Sequence, residues 1–210
     1  MTLYELILTM TLQLMRLPAT VVEQADVDME ASCANYPVAH ACEIASDIII
    51  EVSKADGAPF VGPARHDAAA IALLTIAHHE SGFRRDVEDC SICRPGSDWC
   101  GGGKSISMYQ LESSSWGGFA RKEICASNQL ATELALRAMA LVGKWSPSSM
   151  FYSYAGCKGP AVDCRQHGEL FGQFNRLTNR VGVVGRPACG QMFFRRRGTA
   201  PSLGHECDPD

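Results

Sequence analysis

The sequence predicts a mainly α fold in which helices surround one buried central helix and are joined by cysteine-rich loops. Residues 66–79 are almost continuously apolar and rich in alanine, which is typical of a helix buried on most sides. Other segments repeat apolar residues at helical spacing, and the alternation typical of strands is rare. The chain has 210 residues, of which 46% are hydrophobic, so it can bury a sizeable core.

The chain divides into three predicted parts. Residues 1–37 contain an apolar N-terminal helix and a linker, residues 38–180 form the helical domain, and residues 181–210 are an irregular tail with cysteines. In the first part, apolar residues recur at spacings of three and four, as in a packed helix. An atypical export signal is an equal alternative, although no basic residue precedes the apolar run. The run is too short for a confident membrane span, so we expect no stable membrane insertion.

The apolar patterns within the domain predict four helices, over residues 41–52, 66–79, 129–145 and 169–177. Residues 151–156 form a short aromatic segment. Residues 84–104 contain three cysteines and a run of glycines, which predicts a long loop. Such loops in a compact domain are usually functional or cross-linked.

Charge and cysteine content narrow the class of protein. A formal net charge of −4 lacks the basic excess of nucleic-acid-binding proteins, so we expect no nucleic-acid partner. Ten cysteines spread along the chain favour disulfides and an oxidising compartment. Structural zinc is the alternative, because Cys90 and Cys93 have ligand spacing and Cys100 follows closely.

Glu80 is the principal candidate for chemistry because it ends the most apolar helix. Burying its charge is costly, which favours a raised pKa and suits a general acid. The alternative is a surface residue at an ordinary helix end. His78 and His79 precede it, but the zinc-protease motif requires a histidine where Phe83 stands, so we expect packing roles for both and no metal site.

The run Glu80-Ser81-Gly82-Phe83, followed by Ser107-Met108-Tyr109-Gln110-Leu111, resembles the soluble lytic transglycosylases (SLT-type, glycoside hydrolase family 23). A third motif falls in residues 151–157, where no alignment reproduces both its tyrosine and its asparagine. Together the motifs cover residues 65 to 160. The resemblance implies a lysozyme-like fold with a single catalytic glutamate, which would be Glu80.

The resemblance also implies roles for other residues. Ser81 would set the acid and the sugar substituents by hydrogen bonding. Gln110 would line the saccharide groove together with Met108 and Tyr109, which precede it. The tyrosine that approaches the acid would be Tyr154, with Tyr152 as the alternative. Ser107 stands where the family has glycine, which leaves the local backbone shape open.

The implied activity is cleavage of peptidoglycan glycan strands between N-acetylmuramic acid and N-acetylglucosamine, leaving a 1,6-anhydro product. It needs no metal or organic cofactor. The protein would act in the periplasm or after secretion, or as a phage-encoded lytic or virion protein at the cell wall.

Two other classes of function fit the same sequence. One is a hydrolase similar to goose-type lysozyme or chitinase, in which a second carboxylate activates water. The candidates for that carboxylate, all expected to be surface charges, are Asp86, Glu88, Asp89, Asp98 and Glu112. The other is an inactive wall-binding or virion structural protein.

Overall fold

The fold, seen in a computed structural model, is mainly α, as predicted. The structure describes residues 2–18, 20–21, 29–112, 119–142, 147–155 and 164–180. The helices are α1 (Leu3–Leu14), α2 (Met29–Cys33), α3 (Val38–Lys54), α4 (Arg65–Ser81), α5 (Arg85–Glu88), α6 (Cys100–Gly103), α7 (Arg121–Cys125), α8 (Asn128–Val142), α9 (Pro147–Tyr154) and α10 (Arg165–Arg180). Two short strands, β1 (Ser105–Ile106) and β2 (Leu111–Glu112), pair in an antiparallel hairpin.

Helix α4 is the buried central helix that the sequence predicts. It packs against α1, α3, α8 and α10, and every residue from 68 to 77 is buried. A helix that is apolar all round is stable only when neighbours cover each side. It ends at Gly82, whose φ of +60° is left-handed and whose N–H donates to the His78 carbonyl at 2.9 Å. Glycine favours this conformation, which places Glu80 in the last helical turn.

Helix α1 belongs to the same core as α4. Its start is fixed by Thr2 and Glu5, which exchange hydrogen bonds in a capping box. Leu6, Ile7 and Leu8 are buried, and the helix packs against α3 and α4. Within the described part of the chain, no helix is both long enough and apolar enough to cross a membrane.

The predicted helices are all present, with longer or shorter bounds. Helix α3 contains the predicted residues 41–52, and α10 contains residues 169–177. Helix α8 covers most of 129–145, but residues 143–146 lie outside the described residues. The aromatic segment at 151–156 is largely the end of a helix, α9. The tail, residues 181–210, also lies outside the described residues.

The structure has disulfides where the zinc alternative expected metal ligands. Cys33 pairs with Cys42, Cys90 with Cys125, and Cys93 with Cys100. Cys164 is disulfide-bonded as well. The zinc hypothesis for Cys90, Cys93 and Cys100 is therefore wrong, since their sulfur atoms are consumed by these bonds. Among the described residues, no cluster of three or more His, Cys, Asp or Glu side chains is arranged to hold a metal.

Candidate functional site

Glu80 lies where the central helix reaches the surface. Residues up to Ala77 are buried, whereas Glu80 is half-buried. Burial raises the pKa of its carboxyl from 4.5 to about 7, because the charged form loses hydration that the apolar helix does not replace. Near neutral pH the carboxyl therefore exists in both forms. It can donate a proton in one state and accept a proton in the other.

The two histidines beside Glu80 have packing roles. The Nδ1 atom of His78 lies 2.9 Å from the side-chain nitrogen of Gln173 on α10, and its ring packs against Phe83. Burial lowers the pKa of both His78 and His79. Both rings are neutral at pH 7, so neither supplies a positive charge that would keep Glu80 ionised.

Ser81 is committed to the end of α4. Its hydroxyl donates to the Ala77 carbonyl at 2.7 Å and accepts from the Phe83 N–H at 3.1 Å. The residue is only 6% exposed. In this structure Ser81 shapes the turn that follows Glu80, and a contact between Ser81 and a sugar stays a prediction.

The second motif forms the turn between β1 and β2. Met108 and Tyr109 are fully buried, which corrects the expectation that their side chains line a groove: they support the turn from the core. Gln110 is half-buried, and its amide donates to the Ser107 carbonyl at 3.1 Å. Ser107 has a φ of +67° and Gln110 a φ of +50°. Position 107 thus has the left-handed backbone that glycine favours, although serine occupies it.

Of the two candidate tyrosines, Tyr154 lies within reach of the Glu80 charge. Its hydroxyl donates to the Tyr109 carbonyl. Burial, and then the nearby charge of Glu80, raise its pKa well above 10, so the phenol is neutral at physiological pH. Tyr152 instead packs edge-on against the ring of His167.

A partly buried network of polar contacts runs beneath the site, and sequence reasoning missed most of it. From Tyr109 it continues to Thr132 at 3.1 Å, and Thr132 donates to the Asn128 carbonyl at 2.8 Å. The Asn128 amide donates to Glu88 at 3.3 Å, and Glu88 pairs with His40 at 3.1 Å. This network therefore connects the turn at Tyr109, whose carbonyl accepts from Tyr154, to Glu88 at the base of the loop that follows α4.

His40 joins this network back to the Glu80 turn. It lies on the apolar face of α3, and its Nε2 atom is 3.2 Å from the Phe83 carbonyl as well as close to Glu88. A histidine at a helical spacing of four from Ile44 and eight from Ile48 was the available sequence signal, because it occupies a core position. Such a residue is buried only with polar partners.

The expected surface position of the other acidic residues is correct for four of five. Asp89, Asp98 and Glu112 are exposed. Asp86 is partly exposed and its carboxylate accepts from Arg84 at 2.6 Å. Glu88 is only 4% exposed, so its assignment as a surface charge is wrong: the ring of His40 and the amide of Asn128 hold it inside.

Fold and site together define a mainly α, disulfide-linked protein with a carboxyl of raised pKa at the end of its central helix. Comparison of the chain with protein-family models, with curated proteins and with solved structures finds no match.

Proposed function

We propose that the protein is a peptidoglycan lytic transglycosylase whose single acid and base is Glu80. The observation that carries the proposal is the carboxyl at the end of the buried helix, with its pKa raised to about 7. A carboxyl kept partly protonated at neutral pH is what protonation of a glycosidic oxygen requires. The motifs around Glu80 resemble those of the lytic transglycosylases, and this resemblance suggests the substrate class and a lysozyme-like fold.

The proposed reaction has two proton transfers at one carboxyl. Glu80 gives its proton to the glycosidic oxygen, and the bond from that oxygen to C1 of the muramyl residue breaks. The substrate's N-acetyl group supports the positive charge at C1. Glu80 then takes the proton of the muramyl 6-hydroxyl, whose oxygen bonds to C1. The product is a 1,6-anhydro sugar, and no water is consumed.

The location that fits this activity is outside the cytoplasm. Disulfides such as Cys90–Cys125 form and persist in oxidising compartments, and peptidoglycan is reached from there. We place the protein in the periplasm, among secreted proteins, or at the cell wall as a phage product, with the glycan strands as its partner.

The test is the mass of the fragments released from purified peptidoglycan. We expect muropeptides with anhydro ends from the wild type and none from Glu80→Gln, since glutamine keeps the shape of the side chain but cannot transfer the proton. Asp47→Asn is the matched control. Burial also raises the pKa of the Asp47 carboxyl, to about 6, but Asp47 belongs to α3 and to none of the three motif segments, so the variant should stay active.

The same spectra separate the competing functions. Fragments with an added water and a reducing end would replace the transglycosylase by a hydrolase. Full activity of Glu80→Gln would remove Glu80 from the reaction. Absence of any cleavage by folded wild-type protein would support a binding or structural role.

A further inference from the structure

The disulfide-closed loop beside Glu80 presents Trp99 at the surface. The residue is 50% exposed, and it precedes Cys100, which is bonded to Cys93. A single exposed aromatic residue needs no explanation by itself. What distinguishes Trp99 is that the structure holds it in place and that it lies between the two motif segments.

Several contacts fix the backbone of Trp99. Its carbonyl accepts from the N–H groups of Gly102 and Gly103, both at 3.2 Å, and from the Ser97 hydroxyl at 2.9 Å. The Cys93–Cys100 disulfide closes the loop around it. The backbone at Trp99 therefore loses little conformational freedom on meeting a ligand, which lowers the entropic cost of binding.

Arg84 fixes the ring itself. The centre of its guanidinium lies 4.5 Å from the centroid of the indole, a cation–π distance. Asp86 holds that guanidinium through two hydrogen bonds, at 3.0 and 2.6 Å. Because the Asp86 carboxylate balances the Arg84 charge, the loop presents the oriented indole ring of Trp99 rather than a free cation.

Both sides of this loop touch the candidate site. The N–H of Arg84 donates to the Ser81 carbonyl at 3.2 Å, in the turn directly after Glu80. On the other side, the Gln110 amide lies 3.7 Å from the Cys100 sulfur. Trp99 thus stands at the rim of the site, next to the turn that carries Glu80 and next to the turn that carries Gln110.

We propose that Trp99 is a sugar-stacking residue that binds a pyranose ring of the glycan strand beside the Glu80 site. The C–H face of a pyranose is apolar and matches the electron-rich face of an indole. Charge favours this occupant over a peptide or a nucleic acid strand, since the arginine beside the ring is already neutralised. The inference rests on the proposed function for the identity of the strand.

The experiment measures binding of a soluble β-1,4-linked N-acetylglucosamine trimer by calorimetry, in a Glu80→Gln background that cannot cleave it. We expect Trp99→Ala to weaken binding about three- to tenfold and Trp99→Phe to retain most of the affinity. The control is Tyr36→Ala, which removes a more exposed ring, 75% accessible and 5.9 Å from Arg85, outside the loop. It should bind the trimer like the parent.

Steady-state kinetics on peptidoglycan give a second readout. Otherwise wild-type protein carrying Trp99→Ala should show a raised KM with kcat nearly unchanged, because the contact is the same in substrate and transition state. Equal trimer affinity of the Ala variant and its parent, or no trimer binding by the parent, would overturn the inference. Cleavage with a Trp99-independent KM would overturn it too but leave the proposed function intact. Trp99-dependent trimer binding without cleavage would refute only the proposed function.

Discussion

At the scale of single residues, the burial of Glu80 has a cost in stability. Its carboxyl titrates near 7 in the folded protein instead of 4.5. A raised carboxyl pKa means that ionisation opposes folding. The cost is absent below pH 4.5, grows between pH 4.5 and 7, and is constant above pH 7.

Glu80→Gln should therefore stabilise the protein, and more at high pH than at low pH. Each unit of pKa shift corresponds to about 1.4 kcal/mol, so the gain in the free energy of unfolding reaches up to about 3 kcal/mol above pH 7. Urea unfolding at pH 4 and pH 8 measures the difference. A variant less stable than the wild type at pH 8 would show that Glu80 is not held at an energetic cost.

The same titration predicts the pH dependence of cleavage. The free enzyme must carry a protonated Glu80, so kcat/KM should be flat below pH 7 and fall about tenfold per pH unit above it. Initial rates on purified peptidoglycan give the profile, and unfolding curves at each pH exclude loss of fold. An additional acidic limb would indicate that a second carboxylate takes part, as in the hydrolase alternative.

At the scale of elements, the loop between α4 and β1 depends on glycines in left-handed conformations. Gly103 has a φ of +80°, and a β-carbon there would lie 2.4 Å from the Arg94 carbonyl oxygen. Gly102 has a φ of +75°, but no heavy atom lies within 4 Å of the corresponding position. Gly102 and Gly103 thus have similar backbones and differ in the space available to a β-carbon.

Gly102→Ala should thus cost about 1 kcal/mol from the backbone alone, whereas Gly103→Ala should cost at least about 2 kcal/mol more because the loop must shift. Thermal unfolding of the two variants compares them directly, and limited proteolysis reports whether the loop opens. Equal destabilisation by both would mean that the close contact with Arg94 is unimportant.

The elements also mark how far sequence reasoning reaches. Apolar patterns located α3, α8 and α10 as helices with one buried face, and a nearly continuous apolar run located α4 as a helix buried on every side. The resemblance placed Met108 and Tyr109 in a groove rather than in the core, and a four-residue turn has no periodicity that could have corrected it. The left-handed backbone of Ser107 was equally out of reach, because serine only rarely adopts it.

Buried polar pairs are a further class that spacing does not reveal. Glu88 lies in the short helix α5 with Asp86, and Asp89 follows directly. This segment has the pattern of a solvated charged stretch, and the partner of Glu88, His40, is far away in sequence. Only the packing of α3 against the loop brings the two together. Partners that meet in this way are set by tertiary structure rather than by local pattern.

This pair should contribute to stability in a pH-dependent way. Desolvation and the charge of Arg85 lower the pKa of His40. The hydrogen bond and charge of Glu88, together with the hydrogen bond to the Phe83 carbonyl, raise it by more, so the pKa is raised overall. A raised histidine pKa stabilises the fold fully below about pH 6.5, and the contribution is lost as pH rises through the folded pKa. Glu43 also faces the ring, 3.6 Å from Nδ1.

His40→Leu should cost about 3–5 kcal/mol at pH 6, because it leaves the Glu88 carboxylate buried without its partner. The cost should shrink at pH 9. Adding Glu88→Leu should recover much of the loss, since no buried charge then remains. Urea unfolding of the single and double variants at both pH values completes the cycle, and additive losses would contradict a coupled pair.

At the scale of the whole molecule, helix α1 is part of the main hydrophobic core. The sequence left a packed helix and an export signal as equal alternatives for the first residues. In the structure α1 buries Ile7 and Leu12 in the core shared with α3 and α4. Periodicity predicted that these residues form a helix, but only the tertiary structure shows which helices α1 packs against.

Disulfides are the second feature of the whole molecule, and their contributions should differ with the length of chain each closes. The pairs 33–42 and 93–100 span nine and seven residues, whereas 90–125 spans 35. In the chain-entropy model, removing Cys90–Cys125 costs about 4 kcal/mol and removing either short bridge costs about 2.5 kcal/mol. Cys90 also accepts from the Ser107 N–H at 3.4 Å, so its loss loosens the turn that carries Gln110.

Pairwise serine variants test this order by urea unfolding, with Cys33→Ser/Cys42→Ser as the control outside the site. We expect Cys90→Ser/Cys125→Ser to show the lowest free energy of unfolding and also reduced cleavage of peptidoglycan. The control should lose stability but keep its activity at temperatures where it stays folded. If the two short bridges proved as stabilising as the long one, closure of the chain would not be their main effect, and local packing around each pair would determine the stability of the molecule.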